Sequence, residues 1–358
     1  MADGLAAFLA QLPQAARPSP PGRTVDARPR PVPAVLLLSR ACDSGLERVQ
    51  ALLGAAGVRS ARLNADELGA ADLLVDPERR TVRLNGRRLT PTVTWIRHFS
   101  ASAIGSTGEP ARTVFLRESW QAAADQLAAV SGTALRATRP GLLAQLELAR
   151  RHRIAVPRTL LTTDPHRARG EFDCPRLVVK AAHHHFVEPE PGLLNGIFPT
   201  VVERDDPSAD PGPGPGPPVV VQEYVEHEEE LRVYYAAGRL HAFRVAKTAP
   251  ADPWTAPGRV GVHPVTAPPA VAAATRTLAA AMSLHYGAFD FLVSAGTPVF
   301  LEVNPDGDWH WVEQRAGGTP VTTAVAAMLA ALHRRALPAR GPFDLLGFLS
   351  AAQPAPDP

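Results

Sequence analysis

The chain has 358 residues, of which 45% are hydrophobic and 20% are charged, and its formal net charge is +2. This length predicts two or three packed lobes, and the near-neutral charge argues against nucleic acid as a partner. Its two cysteines, Cys42 and Cys174, provide neither a disulfide framework nor a zinc-binding spacing. No apolar run reaches the ~20 residues of a membrane span, and the N-terminus lacks a signal-peptide pattern. We therefore expect a cytoplasmic protein with no membrane partner.

The first third of the chain predicts a leader followed by a small lobe. Residues 1–33 are rich in Pro and Arg and contain too little apolar surface to fold alone, so we expect disorder there. Residues 34–130 alternate between short apolar runs and segments with helical spacing, and Asn85-Gly86 is a strong hairpin signal. This alternation predicts an N-terminal α/β lobe.

A second unit is expected over residues 131–222. A strand over 176–180 ends in Lys180, whose ammonium could reach a phosphate. The loop that follows contains His183 to His185, which could line a phosphate or substrate pocket, although solvent exposure fits the pattern equally well. The Pro/Gly-rich stretch 206–218 predicts a surface connection.

The last large unit is expected over residues 223–340, with a tail over 341–358. It begins with a predicted hairpin, in which Glu230 and Arg232 share one face of the first strand because side chains alternate. The Pro-rich segment 248–264 is long enough to act as a flexible lid.

Two short apolar strands near residue 296 contain the most informative pattern. If their turn is centred on Gly296, Asp290 lies directly across from Glu302, with the Cβ atoms about 5 Å apart. Asn304 follows Glu302 by two residues and shares its face. Hard oxygen ligands of this kind suit Mg2+ or Mn2+, and a Mg2+ site with few protein ligands usually also holds nucleotide phosphate. The alternative is an ordinary acidic surface hairpin, which the lack of polar alternation disfavours.

Taken in order, these segments resemble the ATP-grasp carboxylate–amine ligases of the RimK type. The resemblance rests on the strand ending in Lys180, VVVQEYV, Glu230-Leu231-Arg232 and GAFD…FLEVNPDGDW. Within that superfamily the chain is most similar to the ATP-grasp maturases of ribosomal peptides (graspetide or microviridin-type synthetases), through Trp95-x-Arg97 and NPDGDWHWVE. The resemblance implies an α/β chain built of α+β lobes. It also implies an ATP-grasp fold behind a small pre-ATP-grasp lobe, with a central (lid) subdomain and a C-terminal subdomain that holds the Mg site.

The resemblance also implies roles for individual residues. Two positions depart from the family pattern: Leu142 stands where a lysine is usual, and the flap segment reads Asp252-Pro253-Trp254 with Arg259 further on. Arg232 would face the γ-phosphate or the acyl phosphate. The implied sets are Lys180 for nucleotide phosphates; Gln222, Glu223, Tyr224 and Val225 for adenine; Glu230 for ribose; Arg232 and Arg259 for catalysis; and Asp290, Glu302 and Asn304 for Mg2+ or Mn2+.

The function implied is ATP-dependent, ADP-forming joining of a carboxylate to an amine or hydroxyl. Attack of the carboxylate on the γ-phosphate gives an acyl phosphate, which the second group displaces. The substrate implied is a precursor peptide that receives side-chain amide or ester links, and a homodimer is implied as well. Two alternatives stay open, namely a ligase for free amino acids or other small substrates and a non-catalytic ATP-grasp-like protein that binds a peptide.

Overall fold

The computed structural model describes five segments of the chain: residues 30–136, 140–182, 186–190, 193–205 and 216–337. Two compact units are distinguished, Met1–Pro31 and Val32–Pro358, and every element below belongs to the second unit. The predictions for His183 to His185, for the C-terminal tail and for nearly all of the leader lie outside the described residues. None of the described helices is long and apolar enough to cross a membrane.

A six-stranded sheet forms the N-terminal lobe. Its elements are β1 (Val32–Ser39), α1 (Ser44–Ala55), β2 (Ser60–Asn64), β3 (Leu73–Asp76), β4 (Thr81–Leu84), β5 (Arg87–Ile96), α2 (Pro110–Ala129) and β6 (Thr133–Arg136). β1 lies between parallel neighbours β2 and β5 and is buried from Ala34 to Ser39, which explains its continuous apolar run. Asn85 and Gly86 take left-handed φ values of 48° and 77°, so the predicted hairpin turn between β4 and β5 is confirmed.

An antiparallel four-stranded sheet with strand order β11-β8-β12-β7 follows, together with a separate hairpin, β9-β10. The elements are α3 (Leu142–Arg151), β7 (Thr159–Thr162), α4 (Pro165–Arg169), β8 (Arg176–Ala181), β9 (Phe186–Glu190), β10 (Leu193–Gly196), β11 (Thr200–Glu203) and β12 (Val219–Glu223). The segment after Lys180, expected to be a loop, therefore contains the β9-β10 hairpin. Leu177 and Val221 face a small core on the α4 side of this sheet, so the alternate residues of β8 face the other way.

A second antiparallel sheet, with strand order β15-β14-β13-β16-β17, holds the predicted metal hairpin. The elements are β13 (Glu229–Ala236), β14 (Arg239–Ala246), α5 (Asp252–Thr255), β15 (Gly261–Val265), α6 (Pro269–Ala281), β16 (Tyr286–Ser294), β17 (Thr297–Asn304), α7 (His310–Ala316) and α8 (Pro320–Ala336). The segment expected to be a flexible Pro-rich lid contains α5 and β15, and β15 pairs with β14. α7 follows the predicted metal hairpin and was not itself predicted.

Helix α8 joins the N-terminal lobe to the C-terminal sheet. Its residues Val325 and Leu329 share one core with Leu37 of β1 and Tyr234 of β13. The boundaries expected at residues 130, 222 and 340 stay predictions. Two elements lie across them: β6 belongs to the N-terminal sheet, and α3 packs against β17 and α6 of the C-terminal sheet.

Candidate functional site

The predicted carboxylate pair forms through a register that was not foreseen. β16 and β17 are joined by a two-residue turn, which alone would place Asp290 opposite Leu301. A β-bulge at Leu301 adds one residue to β17 and brings Glu302 opposite Asp290. The opposition of the two carboxylates is confirmed, whereas a turn centred on Gly296 is wrong. Asn304 shares the face of Glu302 because it lies two residues further along the strand.

Polar residues from neighbouring strands converge on one face of this sheet. Arg232 on β13 lies opposite Asp290 on β16, and Glu230 precedes Arg232 by two residues on the same face. Phe289 and Phe291, which alternate with Asp290, are fully buried in the core on the other face. The apolar residues between the site residues therefore anchor the strands, and the polar residues are left on the side that faces the four-stranded sheet.

Arg232 and Asp290 form a largely buried ion pair. Nη1 of Arg232 donates to Oδ1 and Oδ2 of Asp290 at 3.2 and 3.3 Å, and its Nε donates to the hydroxyl of Tyr234 at 3.1 Å. Burial raises the pKa of Asp290 to about 6 against the opposing effect of Arg232, and the carboxylates of Glu302 and Glu230 add to the rise. A carboxylate with a raised pKa beside a paired cation in a cleft is typical of a functional site.

Lys180 reaches this face from the other sheet. Its Nζ lies 3.5 Å from Oε2 of Glu302, and the exposed fractions of the two side chains are 9% and 24%. Lys180 lies opposite Val220 on β12, so Gln222, two residues further along, is on the same cleft-facing side. The predicted phosphate ligand and the predicted metal ligands thus meet between the two sheets.

The donor set at Asp290, Glu302 and Asn304 fits one hard cation. Among the described residues, no group of three or more His, Cys, Asp or Glu side chains is arranged to hold a metal ion. A cation here would therefore bind two carboxylates and one amide oxygen, with its other positions open to phosphate or water, which suits Mg2+. The amide nitrogen of Asn304 donates to Oε1 of Glu302 at 3.2 Å, so its amide must rotate to present oxygen to a cation.

The four residues predicted to line an adenine slot continue from β12 along the edge of the cleft. Gln222 is buried, and its Nε2 donates to Oγ1 of Thr159 on β7 at 2.8 Å, so this side chain fastens the two strands together. The backbone of Glu223 and Tyr224 is held by the carbonyls of Arg158 and Arg176, at 3.0 Å in each case. Val225 follows as partly exposed chain.

The guanidinium of Arg176 stacks over the ring of Tyr224, with Cζ 4.1 Å from the ring centroid, and it pairs with Glu226. This stack lies beside the backbone of residues 223–225. It places one flat surface at the edge of the predicted slot.

Arg259 is not brought to these residues. It lies exposed in a short 3-10 turn, and within the described part of the chain no hydrogen bond or ion pair joins it to Asp290 or Glu302. Asp252, from the flap segment, accepts hydrogen bonds from the backbone of Thr248 and Ala249 at 2.8 Å each. Its role is to hold the turn after β14.

The structure adds a residue that was not predicted, Lys247, immediately after β14. Its Nζ lies 2.7 Å from Oε1 of Glu230, and the exposed fractions of the two side chains are 16% and 15%. The hairpin of β13 and β14, with its turn at Ala237-Gly238, was predicted and is confirmed. Lys247 lies beyond the last residue of β14, so strand pairing alone does not place its ammonium beside Glu230.

The segment after β17 contains the motif that carried most of the resemblance, and an ion pair, a hydrogen bond and a cation–π contact hold it to the interior of the protein. Arg97 is buried, pairs with both oxygens of Asp43 at 2.6 Å and with Asp308 at 3.3 Å, and lies 4.0 Å over the ring of Trp309. Asp308 also accepts a hydrogen bond at its carbonyl from the Tyr234 hydroxyl, at 2.7 Å. Asp43, Arg97, Asp308 and Tyr234 thus connect the N-terminal lobe to Arg232.

Glu313, at the end of that segment, caps helix α8. Its Oε1 accepts hydrogen bonds from the backbone of Val321 and Thr322 at 2.7 and 2.9 Å, and its Oε2 accepts one from the Thr322 hydroxyl at 2.6 Å. The first-turn amides of a helix lack partners within the helix, so Glu313 satisfies two of them. This glutamate is therefore structural.

Leu142, where the resembled family carries lysine, packs at the edge of the C-terminal core. The neighbouring Gln145 is buried, donates from Nε2 to the carbonyl of Val303 at 3.3 Å and accepts from the Val303 amide at 2.8 Å. Helix α3 thus supports β17 directly behind Glu302 and Asn304 and contributes no cation at Leu142.

Comparison with known proteins was carried out by sequence and by structure. No protein-family model matches the chain, and no curated protein matches its sequence. The structure of macrocyclase MdnC bound with precursor peptide MdnA, from Microcystis aeruginosa MRC, is 19% identical over 83% of this chain and 99% of that chain, with a TM-score of 0.66.

Two further solved structures match at a similar level. A RiPP-associated ATP-grasp ligase from Chryseobacterium gregarium, in complex with ADP and a leader and core peptide, is 17% identical over 84% of this chain and 97% of that chain, with a TM-score of 0.64. Macrocyclase MdnB from Microcystis aeruginosa MRC is 22% identical over 84% of this chain and 99% of that chain, with a TM-score of 0.64. The chain therefore has the ATP-grasp fold, with the small N-terminal α/β lobe that its sequence pattern predicted.

Proposed function

We propose that this chain is an ATP-dependent, ADP-forming ligase that joins a carboxylate to an amine or a hydroxyl. The observation that supports it best is the meeting of Asp290, Glu302 and Asn304 with Arg232 and Lys180 between the two sheets. Binding of a nucleoside triphosphate requires oxygen donors for a hard metal ion and positively charged side chains for the phosphates, and this site provides both. The ATP-grasp fold supports the same assignment.

In this proposal Asp290, Glu302 and Asn304 hold Mg2+, which when bound neutralises phosphate charge. Lys180 and Arg232 leave their carboxylate partners and contact phosphate oxygens. The substrate carboxylate attacks the γ-phosphorus, the bond to the β-phosphate bridging oxygen breaks, and ADP leaves. The amine or hydroxyl then attacks the acyl carbon, loses its proton to solvent, and inorganic phosphate departs. Arg232 stabilises the charge that develops on the transferred phosphoryl group.

The proposed substrate is a precursor peptide, and the product contains side-chain amide or ester links. The support is the likeness in fold to MdnC, solved with precursor peptide MdnA, and to the Chryseobacterium gregarium ligase, solved with a leader and core peptide. The segment from Asn304 to Glu313 adds less support than its sequence suggested, because Trp309 and Glu313 serve internal packing.

The test is ATP turnover with Mg2+ in the presence of peptides rich in Asp or Glu together with Thr, Ser or Lys. We expect ADP and phosphate, with a peptide mass loss of one water (~18 Da) per turnover, as condensation through an acyl phosphate requires. A mass gain with ADP would instead indicate addition of a free amino acid or amine. AMP as the product, or turnover that survives D290N together with E302Q, would exclude the proposed mechanism.

A further inference from the structure

The lysines of this chain are distributed in an unusual way. Lys and Arg together number 37, but only two of them, Lys180 and Lys247, are lysines. Both lysines lie in the cleft between the sheets, and both are paired with its carboxylates. All the other Lys and Arg side chains of the chain are arginines, among them Arg232 on the same acidic face, so lysine occurs only in this cleft.

Lys247 is held in place by the turn that follows it. Asp252 is buried and accepts hydrogen bonds from the amide and the hydroxyl of Thr248, at 2.8 and 2.7 Å, and from the amide of Ala249 at 2.8 Å. This turn fixes the backbone on the C-terminal side of Lys247, and strand β14 fixes it on the N-terminal side. The backbone at Lys247 is therefore fixed on both sides, and the side chain brings the ammonium within reach of Glu230.

Three carboxylates of the cleft face are each paired with a cation. Lys180 lies 3.5 Å from Glu302, Arg232 lies 3.2 Å from Asp290, and Lys247 lies 2.7 Å from Glu230. The three pairs thus balance in charge. A cation bound by Asp290 and Glu302, and ribose hydroxyls bound by Glu230, would displace three positive side chains together, and phosphate oxygens are the groups nearby that would accept them.

We propose that Lys247 is a further phosphate-binding residue, which exchanges the carboxylate of Glu230 for a phosphate oxygen when a nucleotide enters the cleft. This inference rests on the proposed function, because it requires that the cleft binds a nucleotide. Lys247 completes a set of three cations, one from each of β8, β13 and the end of β14, around the phosphates. Leu142 on α3 supplies none.

A purely structural role would have a different signature. If Lys247 only neutralises buried Glu230, its loss leaves an unpaired carboxylate, and any effect on binding passes through Glu230 and the ribose. Adenosine and ADP would then be affected equally. If Lys247 contacts phosphate, ADP loses a charge-assisted contact that adenosine never makes.

The experiment is titration calorimetry with Mg-ADP and with adenosine on the wild-type chain, K247M, K247R and K180M. Loss of one charge-assisted contact predicts that K247M weakens Mg-ADP binding by about 10- to 100-fold and changes adenosine binding by no more than about twofold. K247R keeps the charge and should retain most of the affinity for Mg-ADP. K180M should show the same selective loss as K247M, because Lys180 is the phosphate ligand already proposed.

Equal weakening of adenosine and Mg-ADP binding in K247M, or no weakening of either, would overturn the inference. A selective loss of Mg-ADP binding in K180M would in that case leave the proposed function standing. Failure of the wild-type chain to bind any nucleotide would overturn the proposed function and this inference with it. If K247M does not fold, E230Q is compared with E230Q/K247M, which contains no unpaired buried charge. The ratio of the Mg-ADP affinity to the adenosine affinity must then fall by about 10- to 100-fold when the ammonium is lost.

Discussion

The ammonium of Lys180 lies 3.5 Å from the carboxylate of Glu302, and this contact joins the cleft faces of the two sheets. The distance is longer than the ~2.7–2.9 Å of a close charge-assisted hydrogen bond. The pair is therefore an electrostatic contact that an entering ligand can divide, with a cation taken up by Glu302 and a phosphate by Lys180. The same two residues that hold the sheets together would then hold a nucleotide.

Replacing Glu302 should abolish metal binding without changing the stability of the fold. E302Q keeps the shape of the side chain and removes one of the two carboxylates that the proposed Mg2+ requires, so ATP turnover should fall by about 100-fold or more. The Mg2+-dependent part of ADP binding should disappear in calorimetry. The unfolding midpoint should change little, because loss of the charged contact with Lys180 is offset by relief of the like-charge opposition of Asp290 and Glu302.

Glu229→Gln is the matched control for E302Q. Glu229 is a carboxylate on β13 that pairs with Arg244 on the surface, at 3.3 Å, away from the cleft face. Turnover and Mg2+ dependence should stay within about twofold of the wild-type values, as expected for an exposed pair. If E229Q and E302Q lose activity to the same extent, Glu302 is not a metal ligand.

Much of this site could be predicted because its residues are neighbours in sequence or in adjacent strands. Asp290, Glu302 and Asn304 lie on one hairpin, and the alternation of side chains places them on one face. The bulge at Leu301 could not be predicted, because a bulge inserts a residue without a composition signal of its own. The predicted opposition of Asp290 and Glu302 is correct, although the turn is centred between Ala295 and Gly296, half a residue before the predicted centre.

The parts that were missed depend on contacts between distant segments. Lys247 lies past the end of the predicted β13-β14 hairpin, so its contact with Glu230 depends on the path of the chain after β14. Glu313 caps α8 only when the chain turns back after α7. The stretch ending in Glu313 was the most specific signal in the sequence. Its specificity reflects internal packing of Trp309 and helix capping as much as any contact with a substrate.

Arg97 should be among the most sensitive residues for stability. R97M leaves Asp43 buried without its partner and removes the contact with Asp308, and breaking a buried ion pair on one side typically costs about 3–5 kcal/mol. Denaturant unfolding of R97M should show a loss of this size. The double variant D43N/R97M should recover part of it, because no buried charge is then left unpaired; equal stability of R97M and D43N/R97M would contradict this explanation.

Stability should fall as the pH is lowered through the histidine range. Burial and the neighbouring Arg97 lower the pKa of His98 to about 4, while the carboxylates of Asp43, Asp306 and Asp308 oppose this shift. Between about pH 6.5 and pH 4 the unfolded chain gains a proton at His98 that the folded chain does not, so the free energy of unfolding decreases in that window. The same sign applies to three other histidines whose pKa burial lowers, namely His241, His285 and His333.

The measurement is denaturant unfolding of the wild-type chain and H98Q at intervals between pH 7.5 and pH 4.5. The unfolding free energy of the wild-type chain falls across this pH range, and removing the titrating ring should reduce that fall by up to roughly 3 kcal/mol. Asp43, whose pKa is held below its usual range by Arg97 in spite of burial, acts only at lower pH, where its contribution is lost as the carboxylate is protonated. An unchanged slope in H98Q would show that His98 titrates normally in the folded protein.

Glu313 provides a test of whether the most specific stretch of the sequence is structural. Glu313→Ala removes acceptors from the amides of Val321 and Thr322 and from the Thr322 hydroxyl, so helix α8 loses its cap, at a cost of about 1–2 kcal/mol in unfolding free energy. Mg-ADP binding should stay within about twofold of the wild-type value, because Glu313 faces helix α8 rather than the cleft. Glu313→Gln, which keeps an oxygen acceptor, should restore part of the lost stability. A large loss of Mg-ADP affinity in Glu313→Ala without any loss of stability would reverse the assignment and make Glu313 a functional residue.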